Sequence, residues 1–485
     1  MTLNQRIHII HTNDLHSRFE NMPKISSYIQ QVRKEAAEQG ERVIVVDIGD
    51  HMDRMKLETE GTFGRVNVEI LNQTGVEVVT IGNNEGLTFT KGNLEKAYQE
   101  RNFNIVVCNL IDIVTKQKPN WVKDYWIQEV DGIKIGWIGA TAPYETFYRL
   151  QGWEVLEPMP FIQNIVEQIR HEVDLIIFLS HLGIRADEQI AEEIPVIDVI
   201  IGGHTHRFYE HGLQKEGQPL ICQVGIFGDY IGHLTIDFNR KERKIINIEE
   251  KTVQMESFQD DPIIVEVVKT FREQAKSELN QIVTILEEPL PIFLEMESPL
   301  GNLLADGVRS WVNAEIGLVN AGQILQGLEK GKVTKERIHE ICPSPINPCI
   351  VKLTGSQIMQ TLEQSLLDEF IHFPLKGFGF RGKEIGTLCL SGIKAEIDPL
   401  AEPYKRVKKV WVGNEEMVED QEYIVGTLDM FTFGGGYPLI KEGKEIQYFL
   451  PEFIRDILAT QLKEQAAIVK SFTKRWVSIN IKDRV

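Results

Sequence analysis

Residues 7–16, IHIIHTNDLH, join a short apolar run to a polar turn. The run at residues 7–10 has the length and the β-branched composition of a strand. Asp14 and His16 follow it two positions apart, so in an extended segment both side chains point to the same side. This stretch predicts a strand that ends in a carboxylate and an imidazole, and the same pattern recurs along the first half of the chain.

Apolar runs of strand length alternate with helical patterns from residue 7 to about residue 238. The runs lie at residues 7–10, 43–46, 76–81, 105–107, 133–138, 175–179 and 197–201. Residues 23–38 and 161–171 carry the apolar spacing of helices between them. Such alternation predicts helices packed on largely parallel sheet. The later runs at 220–224 and 232–238 predict a closing hairpin.

A long pattern at residues 260–286 predicts a helix that joins two domains. Its start is expected at Asp260 or Asp261, with Pro262 at the first helical position. The sequence beyond it predicts a helix from Ser298, short strands, a helix near residues 355–368 and a β-rich end. The expected organisation is a first domain at 1–255, a linker helix at 256–288 and a second domain at 289–485.

Composition excludes several classes of function. The 485 residues include 52 Lys and Arg against 71 Asp and Glu, a formal charge of −19, which disfavours nonspecific nucleic-acid or anionic-membrane binding. No apolar run approaches the roughly 20 residues that span a bilayer, and the first residues lack the pattern of an export signal. Five scattered cysteines predict reduced, buried thiols. We expect a cytoplasmic protein with no polymer or membrane partner, in an oligomeric state that the sequence leaves open.

Polar side chains follow five of the predicted strands. They are Asp14 and His16, Asp47 and Asp50, Asn83 and Asn84, His181, and His204 and His206. In an open α/β sheet, ligands bind at the carboxyl ends of the strands, so these turns are expected to converge. Carboxylates, imidazoles and an amide without a thiolate suit Mn²⁺, Zn²⁺, Mg²⁺ or iron. The set is large enough for two divalent ions that share one carboxylate, an arrangement suited to in-line displacement at phosphorus.

The order D-x-H, GD, GN-x-E, SH and GHTH resembles the calcineurin-like metallophosphoesterases. The opening HTNDLH and the later motifs SPLGNLLADGVR, VNAG, NPCIVKLTG, LSGIKAEID and FGGGYP narrow the resemblance to the 5′-nucleotidase, UDP-sugar hydrolase and cyclic phosphodiesterase family. The resemblance implies an α/β fold, with a metallophosphoesterase β-sandwich flanked by helices and joined by a long helix to a second α/β domain. It also implies one ion held by Asp14, His16, Asp50 and His206, and another held by Asp50, Asn83, His181 and His204. Asp47 is left out, because a strand-end carboxylate satisfied by backbone donors explains it better.

The sequence departs from this family at its catalytic dyad. The family usually has GNHEFD, whose His is thought to stabilise the transferring phosphoryl group and whose Asp orients that His; here Asn84 and Leu87 occupy those positions. A neutral Asn84 still donates a hydrogen bond, but such bonds are weaker than charge-assisted ones. Losing one transition-state donor costs on the order of 10²–10³ in rate. His51 and Arg54 are therefore candidates for a substitute cation. The more economical interpretation is that both are ordinary polar residues of a loop.

The second half also departs from the family's nucleoside-binding pattern. Leu325 replaces an Arg, Thr387 stands where a stacking aromatic is usual, and FGGGYP lacks the acidic residue of GGDGY. The residues that remain for substrate binding are Asn320, Arg381, Phe431, Phe433 and Tyr437, and each is more often a core or turn residue.

The resulting hypothesis is two-metal hydrolysis of a phosphate ester by a metal-bridged hydroxide, with a nucleotide or a related small phosphorylated metabolite as substrate. One alternative is a metal-dependent nucleotide-binding or sensing protein with weak turnover. Another is a phosphodiesterase or pyrophosphatase for a non-nucleotide metabolite.

Overall fold

The computed structural model describes residues 4–479, which form two compact units. The first unit ends at Ala275 and the second begins at Lys276, so the division falls inside one helix. The first unit contains strands β1 (Asn4–Thr12), β2 (Arg42–Asp47), β3 (Val78–Val79), β4 (Asn104–Ile105), β5 (Leu110–Asp112), β6 (Tyr125–Val130), β7 (Ile133–Thr141), β8 (Trp153–Val155), β9 (Leu175–His181), β10 (Val199–Gly202), β11 (Leu220–Cys222), β12 (Tyr230–Asn239) and β13 (Lys244–Gln254). Its helices are α1 (Met22–Gln39), α2 (Leu57–Thr62), α3 (Arg65–Thr74), α4 (Asn83–Thr88), α5 (Lys91–Ala97), α6 (Glu145–Leu150), α7 (Pro158–Ile169), α8 (Ile184–Glu193) and the dividing helix α9 (Pro262–Leu279).

Two sheets face each other in the first unit. One has the order β13-β12-β1-β2-β3-β4 and the other β11-β10-β9-β7-β6. Strands β1 to β4 are parallel, as are β7, β9, β10 and β11. Alternation along β1 sends Ile7 and Ile9 into the core between the sheets and Ile10 into the core under α1 and α3. Helices α7 and α8 cover the second sheet. The predicted β-sandwich flanked by helices is confirmed.

The predicted hairpin at 220–224 and 232–238 is wrong. Strand β11 lies parallel to β10 in the second sheet, whereas β12 pairs with β1 and β13 in the first. The connection after β11 carries the chain from one sheet to the other, so closeness in sequence does not give pairing here. The real hairpin is β12–β13, which turns at residues 240–243.

Helix α9 begins as predicted but is shorter than expected. Pro262 is its first residue, and the Asp261 carboxylate accepts a hydrogen bond from the Ile263 N–H at 2.9 Å. The helix ends at Leu279, so the linker helix predicted for 256–288 is too long at both ends. Residues Ile282–Leu286 form β14 instead, because this β-branched run pairs with a later strand, Gly331–Thr334.

The second unit is also of the α/β type. Its strands are β14 (Ile282–Leu286), β15 (Ile316–Asn320), β16 (Gly331–Thr334), β17 (Pro348–Thr354), β18 (Leu388–Ser391), β19 (Ile393–Ile397), β20 (Val407–Val412), β21 (Glu415–Glu416), β22 (Glu422–Leu428), β23 (Lys444–Tyr448) and β24 (Trp476–Ser478). Its helices are α10 (Pro299–Trp311), α11 (Lys335–Ile341), α12 (Gly355–Gln364), α13 (Asp368–Ile371), α14 (Asp429–Thr432), α15 (Pro438–Lys441), α16 (Ile454–Gln461) and α17 (Gln465–Ser471). A five-stranded sheet, β18-β15-β22-β17-β23, and a four-stranded sheet, β21-β20-β19-β24, share one apolar core with these helices. Within residues 4–479, no helix has the length and apolar character needed to cross a bilayer.

Candidate metal centre

The seven predicted metal ligands lie at or just beyond the carboxyl ends of five parallel strands. Asp14 and His16 follow β1, Asp50 follows β2, Asn83 opens α4 after β3, His181 ends β9, and His204 and His206 follow β10. The first three strands belong to one sheet and the last two to the other. Both sheets of the sandwich therefore contribute ligands to one edge, as expected for a site at strand ends.

Five of the seven have an unusual backbone conformation. The φ angles are 50° at Asp14, 45° at His16, 50° at Asp50, 71° at His204 and 53° at His206. Few residues other than glycine adopt positive φ, although Asp and His do so more readily than most. Such conformations cost on the order of 1–3 kcal/mol each and cluster at functional sites. Their concentration in these loops indicates that the placement of these side chains is maintained at the cost of local backbone strain.

The loops after β2 and β3 are in close contact. A Cβ atom at Gly82 would lie 2.1 Å from the Asp50 Oδ1 atom, so only glycine fits there. The backbone N–H of Asn84 donates to the same carboxylate oxygen at 2.7 Å. The position of the Asp50 carboxylate is thus fixed by the adjacent turn.

One group of ligand atoms surrounds the Asp14 carboxylate. His206 Nε2 lies 3.3 Å and His16 Nε2 4.0 Å from Asp14 Oδ1. The ligand atoms of these three residues lie within 4.8 Å of one another. His16 Nε2 is also 3.8 Å from Asp50 Oδ2. This grouping matches the first ion site that the family resemblance implies.

The second group lies on the other side of Asp50. His181 Nε2 is 3.5 Å from Asp50 Oδ1, and Asp14, Asp50 and His181 form a buried cluster whose ligand atoms lie within 4.8 Å. The Oδ1 of Asn83 and the Nδ1 of His204 are 2.8 Å apart, a separation compatible with joint coordination of one ion. Asp50 contacts histidines of both groups, which is the placement that a shared carboxylate requires.

The imidazole nitrogens provide a test of whether these residues fit divalent ions. His181 Nδ1–H donates to the Ile48 carbonyl at 2.7 Å, which leaves Nε2 facing the two carboxylates. Within the described chain, His181 Nε2 and His16 Nε2 are buried without a hydrogen-bond partner. Buried polar atoms are nearly always paired, and a metal-binding histidine typically anchors its other nitrogen on a carbonyl or carboxylate. The donor set therefore fits divalent ions.

The electrostatics of the site favour ionised carboxylates. Burial alone would raise the pKa of Asp50, but the charges of His181 and His16 and the Asn84 N–H hold that pKa well below its usual range. Burial also opposes the charged form of His181, yet Asp50 and Asp14 raise the pKa of this histidine to about 10. Burial and the neighbouring His181 lower the pKa of His204 to about 4. Two buried carboxylates with strongly perturbed neighbours make this cluster a candidate functional site.

Glu85 is a fully buried carboxylate that the sequence argument missed. Its Oε2 accepts the N–H groups of Asp50 and Gly82 at 2.9 and 2.8 Å, and its Oε1 accepts that of Met52 at 2.8 Å. Burial raises the pKa of Glu85. Glu85 is the acid of the GN-x-E motif and the third residue of α4, a position that commonly caps a helix. Here that acid also joins two ligand-bearing loops.

Tyr144 also contacts the site without any signal in the sequence. Its hydroxyl lies 3.1 Å from His204 Nε2, and its side chain is partly open to solvent. This contact leaves His204 Nδ1 facing Asn83 Oδ1. The histidine is therefore held with its Nδ1 side toward the second ligand group.

Asn84, one of the predicted catalytic residues, faces the metal ligands. Its Nδ2 lies 2.9 Å from His16 Nδ1 and donates to the Met52 carbonyl at 3.1 Å. Its side-chain amide is thus engaged with a ligand and with the backbone. Leu87, at the family's Asp position, packs against the apolar core beneath the first sheet.

His51 and Arg54 do not offer a free cation in this structure. His51 is fully buried, with Nδ1 3.0 Å from Asp47 and Nε2 3.1 Å from the Tyr98 hydroxyl. Arg54 makes a two-pronged ion pair with Glu60, at 2.7 and 3.0 Å, and donates to the Thr88 carbonyl. The polar atoms of both side chains thus already contact neighbouring residues, and their role as substitute cations stays a prediction.

Asp47 has the structural role expected of it. One carboxylate oxygen accepts the Gly49 N–H and contacts His51, and the other accepts the Thr12 hydroxyl at 2.6 Å. Backbone donors account for only part of this, since two side chains contribute the rest. Its carboxylate is satisfied within the loop.

A separate buried cluster combines His11, Cys222 and Glu250. Their ligand atoms lie within 4.8 Å of one another, and His11 Nε2 contacts Glu250 Oε1 at 2.9 Å. A Cβ at Gly232 would lie 1.8 Å from His11 Nε2, so this imidazole packs directly on the strand backbone. The pair is explained as a buried hydrogen-bonded link between β1 and β13.

The predicted substrate residues of the second unit fall into two groups. Asn320, Phe431 and Tyr437 are buried: Asn320 donates to the Ile385 carbonyl at 2.7 Å, and Tyr437 stacks on Phe370 with ring centres 5.8 Å apart. These three therefore contribute to the core of the second unit. The other two, Phe433 and Arg381, are partly exposed to solvent.

Phe433 is 41% exposed and stacks on Tyr448. Arg381 is half-buried, and its backbone N–H donates to the Ser344 hydroxyl at 3.1 Å. Leu325, at the position of the family's arginine, is exposed, and Thr387 is buried. Of the five predicted residues, Phe433 and Arg381 alone have side chains reachable from solvent.

Comparison with known proteins identifies the family. Residues 7–208 match the calcineurin-like phosphoesterase family, and residues 294–442 match the 5′-nucleotidase C-terminal domain. An uncharacterised metallophosphoesterase of Bacillus subtilis, YunD, is 36% identical over 464 residues, which cover 95% of this chain and 100% of that protein. The chain belongs to the metallophosphoesterase family. The resemblance drawn from its motifs is confirmed.

More distant relatives share the two-part architecture of this metallophosphoesterase. The 5′-nucleotidase of Bos taurus is 22% identical over 507 residues, covering 90% of this chain and 84% of that one. The solved structure of the NAD nucleotidase of Haemophilus influenzae superposes with a TM-score of 0.70 at 17% identity, covering 99% of this chain and 100% of that one. This metallophosphoesterase is a metal-dependent phosphoric ester hydrolase of the 5′-nucleotidase-like type.

Proposed function

We propose that this metallophosphoesterase hydrolyses the phosphate ester of a nucleotide or a related small phosphorylated metabolite at a two-ion centre. The observation that carries the proposal is the convergence of the unpartnered His16 and His181 nitrogens on the Asp14 and Asp50 carboxylates. Asn83, His204 and His206 complete the proposed ligand set. Mn²⁺, Zn²⁺ and Mg²⁺ all suit these oxygen and nitrogen donors.

A pair of divalent ions at such a site polarises the phosphoryl oxygens and activates the attacking water. The chain's own residues supply position and charge. Asp50 is held by the Asn84 backbone, and Glu85 fixes the loop that carries Asp50. Tyr144 orients His204 through its hydroxyl. Binding and orientation of the ions are thus the roles proposed for the first unit.

The proposed substrate class draws on the relatives as well as on the chain. The Bos taurus and Haemophilus influenzae proteins are named for nucleotide substrates, which makes nucleotides the first class to test. Phe433 and Arg381, the accessible predicted residues of the second unit, suit an aromatic base and a phosphate respectively. All five cysteines are buried and free, which is consistent with the proposed cytoplasmic location.

Product formation is the direct test. The purified chain with Mn²⁺ is assayed against nucleoside monophosphates for inorganic phosphate, and against cyclic nucleotides, UDP-sugars and non-nucleotide phosphodiesters and pyrophosphates for the phosphate monoesters that their hydrolysis leaves. We expect product from at least one of them, and its loss in Asp50→Ala and His204→Ala. His171→Ala changes an exposed histidine of the same unit and serves as the matched control. Equal behaviour of wild type and both site variants would exclude the proposed function.

A second function, metal-dependent nucleotide binding or sensing with weak turnover, is favoured by one observation. The family's catalytic histidine is replaced by Asn84, whose amide is engaged with His16 and Met52. This alternative predicts thermal stabilisation by a nucleotide without product. Appreciable turnover of any ligand that stabilises the protein would exclude it.

A further inference from the structure

Asp53 occupies a fixed position behind the metal ligand His16. Its backbone N–H donates to the Ser17 hydroxyl at 2.8 Å, and its Oδ1 accepts the Met55 N–H at 2.8 Å. These contacts direct the other carboxylate oxygen, Oδ2, to within 3.6 Å of His16 Nδ1. The side chain is almost completely buried, so its charge is weakly screened by water.

The two nitrogens of His16 face different groups. Nε2 points to the Asp14 and Asp50 carboxylates, at 4.0 and 3.8 Å. Nδ1 points away from them, toward Asp53 Oδ2 and the Asn84 amide. If Nε2 binds an ion, the neutral ring carries its proton on Nδ1 and needs an acceptor there.

Asn84 does not provide that acceptor in its present orientation. The amide nitrogen, a donor, faces His16 Nδ1 at 2.9 Å, and its hydrogen bond to the Met52 carbonyl at 3.1 Å favours this orientation. Asp53 Oδ2, 3.6 Å from His16 Nδ1, is a carboxylate oxygen on this side of the ring. Carboxylate–histidine–metal arrangements of this kind fix the tautomer and the ring orientation of the ligand.

We propose that Asp53 is a positioning residue for the metal centre. It accepts the Nδ1–H of His16 when an ion is bound at Nε2; the Asn84 amide nitrogen, which lies 2.9 Å from Nδ1 here, then moves away because two N–H donors repel each other. This inference rests on the proposed two-ion centre. It assigns to the segment after Asp50 a role in holding a ligand, whereas the sequence suggested a substitute cation there.

Metal titration of the full chain by calorimetry tests this role. Asp53→Ala and Asp53→Asn are compared with Glu58→Gln, which changes another buried carboxylate of the next helix that pairs with Arg272 instead of a ligand. We expect one of two Mn²⁺ equivalents to bind about 10–100-fold more weakly in both Asp53 variants, in line with losses of such outer partners elsewhere. The second equivalent and the Glu58→Gln variant should match wild type.

A spectroscopic measurement separates positioning from general stability. In the Zn²⁺-loaded protein with ¹⁵N-labelled histidine, His16 should carry its proton on Nδ1, and that signal should shift in Asp53→Asn while the His206 signals stay in place. Unchanged Mn²⁺ affinity in Asp53→Ala, or a His16 without a proton on Nδ1, would refute the proposed role of Asp53. Neither result would refute the two-ion centre itself. A wild-type chain that binds no divalent ion would refute the proposed centre and this role together.

Discussion

The predicted site residues of the two units have different structural environments. In the first unit, seven side chains from five loops converge, and two imidazole nitrogens among them lack a hydrogen-bond partner. In the second unit, three of the five predicted residues are buried in the core, and their polar atoms or rings contact neighbours. The difference is that the unpaired nitrogens of the first unit face two buried carboxylates, where the proposed ions would bind.

The backbone supports the same distinction. Left-handed φ angles occur at five of the seven proposed ligands, whereas none of the five predicted substrate residues has one. Strain of this kind persists only where the surrounding structure holds it. The first unit therefore has the backbone features expected of a functional site, and the predicted substrate residues of the second unit do not have them.

The largest effect is expected from Asp50→Ala. Asp50 contacts histidines of both ligand groups, so its loss should reduce phosphate release to background. An equivalent change in the second unit, Phe433→Ala, should leave activity on a small phosphate ester measurable. Steady-state assays of both variants check the contrast between the units. Phosphate release that persists in Asp50→Ala would contradict this contrast between the two units.

Restoring the family's dyad should give the next largest effect. In Asn84→His with Leu87→Asp, a charged donor oriented by a carboxylate returns to the site, and turnover should rise by about 10²–10³-fold. The single change Leu87→Asp serves as the control, because it adds the carboxylate without the donor. An unchanged rate in the double variant would mean that this chain stabilises the transition state by other groups.

Two phenylalanines of the second unit should separate packing from binding. Phe431 is fully buried, so Phe431→Ala should lower the free energy of unfolding by about 3–5 kcal/mol. Phe433 is 41% exposed, so Phe433→Ala should cost less than about 1 kcal/mol while raising the KM for a nucleotide. Chemical denaturation and nucleotide kinetics measure the two effects. Equal loss of stability in both variants would contradict the assignment.

The smallest effect concerns the buried His11 and Glu250 pair. Gly232→Ala introduces a Cβ that overlaps the His11 ring, and it should lower the free energy of unfolding by about 1–3 kcal/mol. Because this pair is structural, Mn²⁺ stoichiometry should remain that of wild type. Thermal denaturation and metal titration test both statements. Loss of a bound ion in Gly232→Ala would place a metal at His11 instead.

Local patterns were enough to predict the strands and the polar turns that follow them. Residues 7–10 and 43–46 lie in strands, and the alternation of strand and helix predicted the helices packed on largely parallel sheet, whereas the sandwich was implied by the family resemblance. Pairing between distant segments was not predictable in the same way. Strand β11 joins a different sheet from β12, and residues 282–286 form a strand because β16 provides a partner. Tertiary contacts override local propensity at such places.

The same limit applies to the site. Ligand types and spacing were enough to propose the metal ligands, because all seven follow the ends of five strands. The sequence did not indicate the contacts that link other polar residues to the ligands, because these contacts form only in the folded chain. They are made by Glu85, Tyr144 and Asp53. Conversely, His51 and Arg54 looked available in the sequence and are paired in the structure. Whether a polar residue has a partner depends on neighbours far away in the chain.

Metal stoichiometry is the most direct test of the central claim. The full chain, stripped with a chelator and titrated with Mn²⁺, should bind two ions per molecule, and Asp50→Asn should bind at most one with comparable affinity. His171→Ala should still bind two. A wild-type chain that binds no ion, or an Asp50→Asn variant that binds two as tightly as wild type, would contradict a centre built on a shared Asp50 carboxylate.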